Sequence, residues 1–302
     1  MKKNLFILTI TAATFLAICA AFGEGPLAVR TGPALSPRFK SSIEGFYKEP
    51  FDNLSGVFVD REHGEVYVAD TGRGEVFIFA IDGTPVFRLG RSSGISSPLD
   101  VVTKKDRIYV SEEGKPYIGI FNVRGNPVGR LAPPEPMPFL PGKLDVDDEG
   151  NIYAVNKKTA ECVVFGADDK FAGTIGEGLN SLAAVAAGAD RVYLITPFFL
   201  GHAIHAYAKN GEHIMSFEGT EGRGGALSLP SAAKVAPDGN VWVVDSLRGV
   251  YIYDRNGARL ASFDEEVYQK KGRLLFPVDI DFDDSGMIYI LDREKKRLSV
   301  FK

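Results

Sequence analysis

The sequence predicts an all-β fold, a six-bladed β-propeller, chiefly because one short strand pattern recurs six times along the chain. In each copy an aromatic residue stands three positions before an acid or a polar substitute for it. The six aromatic residues, which follow one another at intervals of 40 to 49 residues, are Tyr67, Tyr109, Tyr153, Tyr193, Trp242 and Tyr289. A period in the forties, with about four short strands in each repeat, is typical of propeller blades.

Turn residues divide each repeat into four strands, which is the second observation behind this prediction. In the fifth repeat the predicted strands are 232–235, 241–244, 250–253 and 259–263. Asp238-Gly239 separates the first pair and Asn256-Gly257 the last pair. Glycine supplies the positive φ that a tight hairpin requires, so the pattern indicates an antiparallel meander.

The two ends of the chain supply the third observation. The sixth repeat stops after its third strand, 298–301, so its fourth strand is missing. The N-terminal run 39–46 resembles the fourth strands of other repeats, such as 259–263. We therefore expect this run to complete the last blade, because closure covers a sheet edge that would otherwise promote aggregation.

The chain is expected to comprise a signal peptide (1–23), an N-terminal linker (24–38) and the propeller (39–302). Lys2 and Lys3 precede an apolar run that ends in small residues, which is the organisation of a secretory signal peptide. The run 16–19 is similar to a bacterial lipobox except at Ile18, so a lipid anchor on Cys19 is the alternative to cleavage before Glu24. We expect a periplasmic or extracellular protein that contacts a membrane only if Cys19 carries a lipid.

Composition and charge exclude several classes of function. The chain is 45% hydrophobic and 25% charged, as in folded globular proteins, and its net charge of −4 gives no general attraction to nucleic acid. Once the leader is removed, Cys162 is the one remaining thiol, and its strand context predicts a buried, inert side chain. His202 and His205 face opposite sides of a predicted strand, whereas a zinc site needs at least three converging ligands.

Several runs of the chain match the consensus of a known repeat family. Residues 54–60 and 64–70 resemble the NHL pattern Pro-x-Gly-Ile-Ala-Val-Asp followed by Gly-Asn-Val-Tyr-Val-Ala-Asp, and 297–301 resembles its Arg-Ile-x-Val-Phe strand. The resemblance covers 39–302 and implies a six-bladed propeller. It also implies binding on the top face, meaning the face that carries the second-to-third-strand loops and the connections between blades.

The sequence places candidate binding residues on this top face. Apolar anchors are expected at Phe198, Phe199 and Leu200 in a blade-four loop, and at Met137 and Phe139 in the Pro-rich connection 132–141, because exposed apolar clusters commonly mark partner surfaces. The alternative is that these residues fold down as lids. A charged rim is expected from Arg73, Lys157, Lys158, Arg248, Lys295 and Arg297. These residues predict binding of a protein, an anionic glycan or a lipid head group, and no binding of nucleic acid. The alternative for the charged rim is a solvated surface without a ligand. We expect the protein to be a monomer.

Polar residues recur at two further places. The residues that close the second strands are Asp70, Glu112, Asn156, Thr196, Asp245 and Asp292, and they either fix the neighbouring loops or bind a metal. The first strands bring Asp100, Lys143 and Asp279 to the channel mouth, as a ligand pocket or as mutually paired charges.

The predicted function is therefore an exported, non-enzymatic binding or scaffold module without a cofactor. The alternative is a calcium-dependent, lactonase-like hydrolase or a lyase, with Glu112, Asn156 and Asp245 as calcium ligands. The binding module is favoured because the sequence contains no nucleophile–base pair, histidine cluster or phosphate loop.

Export makes a prediction about the mature N-terminus. We expect protein recovered from the exported fraction to begin near Glu24, or at an acylated Cys19, because the leader carries both processing signals. Intact-mass measurement with N-terminal sequencing distinguishes the two outcomes. Soluble cytoplasmic protein that retains Met1 would contradict export.

Overall fold

A computed structural model describes residues 37–197, 201–219, 227–263 and 273–302. The candidate anchors Phe198, Phe199 and Leu200 lie outside the described residues, so they stay a prediction. Three short strands precede the first repeat, namely β1 (Phe39–Ile43), β2 (Gly45–Phe46) and β3 (Glu49–Pro50).

The described repeats form six antiparallel sheets of four strands each, as predicted. Blades one to three contain β4 (Leu54–Asp60), β5 (Glu65–Asp70), β6 (Glu75–Ala80), β7 (Pro85–Leu89), β8 (Pro98–Lys104), β9 (Arg107–Glu112), β10 (Ile118–Asn122), β11 (Pro127–Leu131), β12 (Pro141–Val146), β13 (Ile152–Asn156), β14 (Glu161–Phe165) and β15 (Phe171–Ile175). Blades four to six contain β16 (Ala184–Ala187), β17 (Arg191–Ile195), β18 (His202–Ala208), β19 (His213–Gly219), β20 (Pro230–Val235), β21 (Val241–Asp245), β22 (Gly249–Tyr253), β23 (Arg259–Phe263), β24 (Pro277–Phe282), β25 (Ile288–Asp292) and β26 (Arg297–Phe301).

One helical turn, a 3₁₀ helix at Arg91–Ser93, lies between blades one and two. Within the described ranges, no helix has the length and apolarity needed to cross a membrane. The predicted turn glycines adopt the expected conformation in blade five, where Gly239 has φ +81° and Gly257 has φ +80°. At Gly257 a β-carbon would also come within 2.6 Å of the Phe217 ring, so this turn requires glycine for two reasons.

The hydrophobic core lies between consecutive blades rather than at one centre. Separate clusters of buried side chains fill the spaces between blades around the ring, from blades one to three through to blades five and six. The first strands contact one another in sequence and β24 returns to β4, so the ring is closed around a central channel. Because both faces of every blade are covered, β4, β13, β21 and β25 are buried along their whole length.

The N-terminal strand closes the ring, which confirms the prediction made from the missing strand of the sixth repeat. β1 pairs antiparallel with β26, with Phe39 opposite Phe301 and Ile43 opposite Leu298. Phe39 and Phe301 also make an edge-to-face ring contact with centroids 5.8 Å apart. One blade is thus assembled from both ends of the described chain.

The closing strand is shorter than predicted, because it ends at Ile43 rather than at residue 46. Gly45 and Phe46 turn away and pair with Glu49–Pro50 instead. The reason lies in the Phe46 side chain, which is buried against blade one and stacks on Phe77 with ring centroids 5.3 Å apart. Burying this ring stabilises the turn by about 2 kcal/mol. β26 begins at Arg297, just beyond the partner of Ile43, so it offers no further pairing to Gly45 and Phe46.

Removing β1 should destabilise the whole ring. A chain that starts at residue 44 loses the β1–β26 pairing and the Phe39–Phe301 contact, and it exposes the edge of β26. We expect its Tm to fall by about 10 °C or more, since each kcal/mol moves Tm by roughly 2–4 °C in a domain of this size. A chain that starts at residue 37 retains β1 and serves as the control in differential scanning calorimetry. Equal melting of the two chains would contradict the closure.

Candidate functional site

The polar residues that close the second strands act as clamps on the main chain. Asp70 is fully buried and accepts hydrogen bonds from the N–H groups of Asp52 (2.7 Å) and Asn53 (2.9 Å), which precede the blade. The same carboxylate accepts the N–H of Arg73 (3.0 Å) in the following loop. Thr196 is the exception, because its hydroxyl donates to the His202 carbonyl of the third strand. The other clamps tie the incoming connection of a blade to the end of its second strand, as the loop-fixing alternative predicts.

The three proposed calcium ligands are committed to such clamps. Their oxygen atoms accept main-chain N–H groups, Glu112 from Ser96 (2.8 Å), Asn156 from Leu140 (3.0 Å) and Asp245 from Leu229 (2.8 Å). The other Glu112 oxygen lies 2.5 Å from the Lys115 ammonium. Among the described residues, no group of three or more His, Cys, Asp or Glu side chains is arranged to hold a metal ion. Because the three side chains stand in separate clamps and are not grouped around a common point, they do not fit calcium, and no catalytic step is built on an ion held by them.

The predicted channel-mouth residues do come together, as a cluster of paired charges. Lys143 of blade three reaches across the channel, and its ammonium donates to Asp279 of blade six (2.7 Å) and to the Ser55 carbonyl of blade one (2.6 Å). Asp100 interacts electrostatically with both Lys143 and Asp279. The channel leaves a cavity of about 10 Å³, enough for roughly one water molecule. The ion pairs therefore close the channel to a ligand at this level.

The channel carboxylates also bind the inner sheet edges. A first strand has no partner on its channel side, so its N–H groups there need another acceptor. Four aspartate side chains accept main-chain N–H groups from the first strand of the next blade. The pairs are Asp279 with Val57 (2.9 Å), Asp281 with Val59 (2.8 Å), Asp100 with Leu144 (2.8 Å) and Asp145 with Ala187 (2.7 Å). The roles of Asp145 and Asp281 were missed from the sequence, although their spacing of two residues from Lys143 and Asp279 places them on the same strand face.

Burial changes the proton affinity of these carboxyls. Burial raises the pKa of Asp100 to about 7, while the Lys143 ammonium opposes the increase and Asp279 adds to it. Burial likewise raises the pKa of Asp281, against the opposing effect of Lys234. The channel therefore holds acids that take up a proton more readily than exposed aspartates do.

Most of the predicted basic rim is used to hold the connections between blades. Arg73 donates to the Pro50 carbonyl (2.6 and 2.9 Å), and Arg248 donates to the Ser228 hydroxyl (3.2 Å). Lys295 donates to the Arg273 carbonyl, and the Arg297 guanidinium lies 5.5 Å from the centre of the Phe39 ring. Lys157 and Lys158 remain exposed on the top face. The charged rim is thus narrower than the sequence predicted.

The two predicted anchors of the Pro-rich connection, Met137 and Phe139, differ in how deeply they are buried. Phe139 is only 6% exposed and packs edge-to-face on Phe165 at 6.0 Å, so it is a core residue and the prediction of a surface anchor is wrong. It is buried because the connection crosses the space between blades two and three and its ring fills that space. Met137 is partly buried against the same core and also lines a groove.

This groove, which we call the blade two–three groove, lies on the top face and has a volume of about 410 Å³. Its lining includes Tyr117, Arg130, Pro133, Pro136, Met137 and Lys158. The Tyr117 ring has two cations near its centre, the Arg130 guanidinium at 5.6 Å and the Lys115 ammonium at 5.9 Å. Tyr117 and Arg130 could not be recognised from the sequence, because only the path of the connection brings them beside its prolines.

Comparison with known proteins supports the fold and leaves the family open. No family model and no curated protein matches the chain. Among solved structures, a gluconolactonase from Xanthomonas campestris is 15% identical, with a TM-score of 0.67 over 90% of this chain and 97% of that one. A streptogramin B lyase is 12% identical, with a TM-score of 0.65 over 90% and 99% of the two chains. The WD40 propeller domain of Doa1 is 14% identical, with a TM-score of 0.60 over 82% and 78%.

These likenesses define the class of protein, a six-bladed β-propeller, and nothing finer. At such low identity they show the fold alone, and the propeller fold carries many unrelated activities. The NHL resemblance is confirmed only as far as this architecture. The function must therefore be argued from the side chains of this chain.

The raised pKa of Asp100 predicts a pH-dependent stability. An unfolded aspartate has a pKa near 4. Between about pH 4 and pH 7 the folded chain therefore holds the additional proton, and the contribution of Asp100 to the free energy of unfolding decreases as the pH rises through that range. Replacing Asp100 by Asn removes this dependence, so the Tm of the native chain relative to Asp100→Asn should be higher at pH 5 than at pH 8.

The difference should amount to a few degrees, since 1 kcal/mol corresponds to roughly 2–4 °C in Tm. Asp148→Asn, at an exposed turn position, is the control and should show no such trend. Thermal melts of the three proteins across this pH range measure the effect. A native-minus-variant difference for Asp100→Asn that is constant with pH would show that Asp100 is not buried in this way.

Proposed function

We propose that the protein is an exported, monomeric and non-catalytic binding module that holds an acidic, extended segment of a partner protein in the blade two–three groove. The observation that carries the proposal is the combination of an aromatic ring, two exposed cations and proline walls in one groove of about 410 Å³. This volume lies within the range of specific binding pockets, roughly 300–1,000 Å³.

The chemistry of the groove favours a peptide over the other predicted ligands. Pro133, Pro136 and Met137 give it apolar walls, and proline fixes the connection before binding, which lowers the ordering cost. Arg130 and Lys158 supply positive charge, which Glu135 partly offsets, so charge alone does not account for the groove and the apolar walls must also be matched. A lipid head group arrives on a flat membrane rather than in a groove. An extended acidic peptide satisfies the apolar and the basic walls together.

The enzymatic alternative has less support from the described residues. The carboxylate and amide oxygens proposed as calcium ligands already accept main-chain N–H groups, and the channel carboxylates are paired with the Lys143 ammonium. Cys162 is completely buried, and burial raises the pKa of its thiol, which removes the thiolate that a nucleophile needs. The propeller likeness to a lactonase and to a lyase keeps a lactonase-like hydrolase or a lyase as the second candidate only at the level of fold.

A charge-reversal pair tests the proposed groove. Peptides selected on the mature chain from a random library should be enriched in acidic and apolar residues, and fluorescence polarisation measures their affinity. We expect Arg130→Glu with Lys158→Glu to weaken binding about 10- to 100-fold, because both cations face the groove. Tyr117→Ala should weaken the same peptides through loss of the ring.

The matched control reverses two exposed charges outside the groove, Arg124→Glu with Lys170→Glu, and should leave the affinity unchanged. If the selected peptides bind both double variants equally well, the proposal that they bind in the groove is overturned. Tight binding of heparin fragments or phosphatidylglycerol vesicles, without any peptide selection, would replace the protein partner by an anionic glycan or a lipid surface. Calcium-dependent lactone hydrolysis by the mature chain would overturn the non-catalytic proposal.

A further inference from the structure

The face opposite the blade two–three groove carries a second large cavity. This bottom cavity, with a volume of about 410 Å³, opens among the first-to-second-strand turns of five blades. Its floor is formed by Phe58, Lys234 and Asp281, and its walls include Val146, Val235 and Pro237. It shares no lining residue with the groove, so whatever it binds is separate from the proposed function.

The floor of the bottom cavity is charged but electrically balanced. The Lys234 ammonium lies 2.7 Å from an Asp145 oxygen and 3.4 Å from an Asp281 oxygen. The Arg61 guanidinium lies 3.7 Å from the other Asp281 oxygen. Two cations therefore face two carboxylates. A charged ligand would have to separate one of these pairs, which leaves a buried charge without a partner.

The balanced floor still offers hydrogen bonds. An ammonium has three N–H donors, and the Lys234 ammonium donates one of them to Asp145 (2.7 Å). Each Asp281 oxygen already accepts a main-chain N–H, from Phe282 (2.8 Å) and Val59 (2.8 Å), yet a carboxylate oxygen has more than one lone pair. Donor and acceptor capacity therefore lie side by side, which suits a hydroxyl group because it both donates and accepts.

The walls and the rim of the bottom cavity further restrict the class of ligand. Phe58 lies beneath the Lys234 ammonium at 5.0 Å and, with the aliphatic walls, gives the cavity an apolar side. The rim carries the acids Glu62, Asp148 and Glu149 and the cation Lys105, so it disfavours an anion. The Arg61 and Lys234 cations at the floor disfavour a cationic ligand. A small molecule with hydroxyls on one side and C–H groups on the other matches both surfaces.

We infer that the bottom cavity binds a neutral polyhydroxylated ligand of mono- to disaccharide size. Isothermal titration calorimetry on the mature chain tests this with glucose, galactose, maltose and myo-inositol. The matched charged probes are glucuronate and glucosamine. At least one neutral probe should bind about ten times more tightly than either charged one. Binding of glucuronate or glucosamine equal to that of the best neutral probe would overturn the inference, and so would the absence of any neutral binder.

A blocking variant locates the site. Ala189 is exposed on the cavity lining, so Ala189→Phe should fill the opening without altering the core, and it should abolish binding of the neutral probe. Ala258→Phe adds the same side chain at an exposed turn outside the cavity and should bind as the native chain does. Equal melting temperatures establish that both variants are folded. Undiminished binding by a folded Ala189→Phe protein would place the ligand elsewhere and refute the assignment.

Discussion

Every blade of this propeller ends in two sheet edges, and the structure depends on how the main-chain N–H groups at those edges find acceptors. An unpaired N–H that is buried costs about 1–3 kcal/mol, so a closed ring of sheets cannot leave its inner edges bare. Aspartates of one blade solve this by accepting N–H groups of the next, as Asp279 does for Val57 and Asp100 for Leu144. At the last blade, β1 supplies the missing strand itself.

These aspartates place negative charge in a narrow, buried channel, and cations are needed there to neutralise it. Lys143 and Lys234 reach across from other blades to neutralise the carboxylates, so the acids that hold the backbone and the lysines that balance them form one network. Burial opposes the charge of Lys234, but Asp145 and Asp281 outweigh it and raise its pKa, which keeps the ammonium charged. Most groups at the centre of the fold are consequently engaged in stability. Lys234 and Asp281 are the members of the network that also line the bottom cavity.

The architecture could be predicted because the patterns that specify it lie within single strands and turns. An aromatic residue before an acid and a Gly at each hairpin belong to single strands and turns, and the closed ring required only that the missing strand be noticed. Contacts between distant parts of the chain could not be read in this way. From the sequence, Phe46 was expected in the closing strand and Phe139 on the surface, and their burial follows from the blades that lie beneath them. The pairing of Asp281 with the N–H of Val59 joins residues 222 positions apart, which no spacing rule indicates.

The need to satisfy the sheet edges also explains why proteins with this fold can differ in function. A lactonase, a lyase and a WD40 domain share the ring of blades with this chain, since edge satisfaction and interblade packing constrain only the backbone and its nearest side chains. In this chain the clamps hold the main chain and most of the channel network is paired internally. Tyr117 and Arg130 line the groove on the top face, and Lys234, itself a member of the network, also lines the bottom cavity. Because these two places share no residue, a partner in the groove and a small molecule in the cavity would not compete for the same contacts.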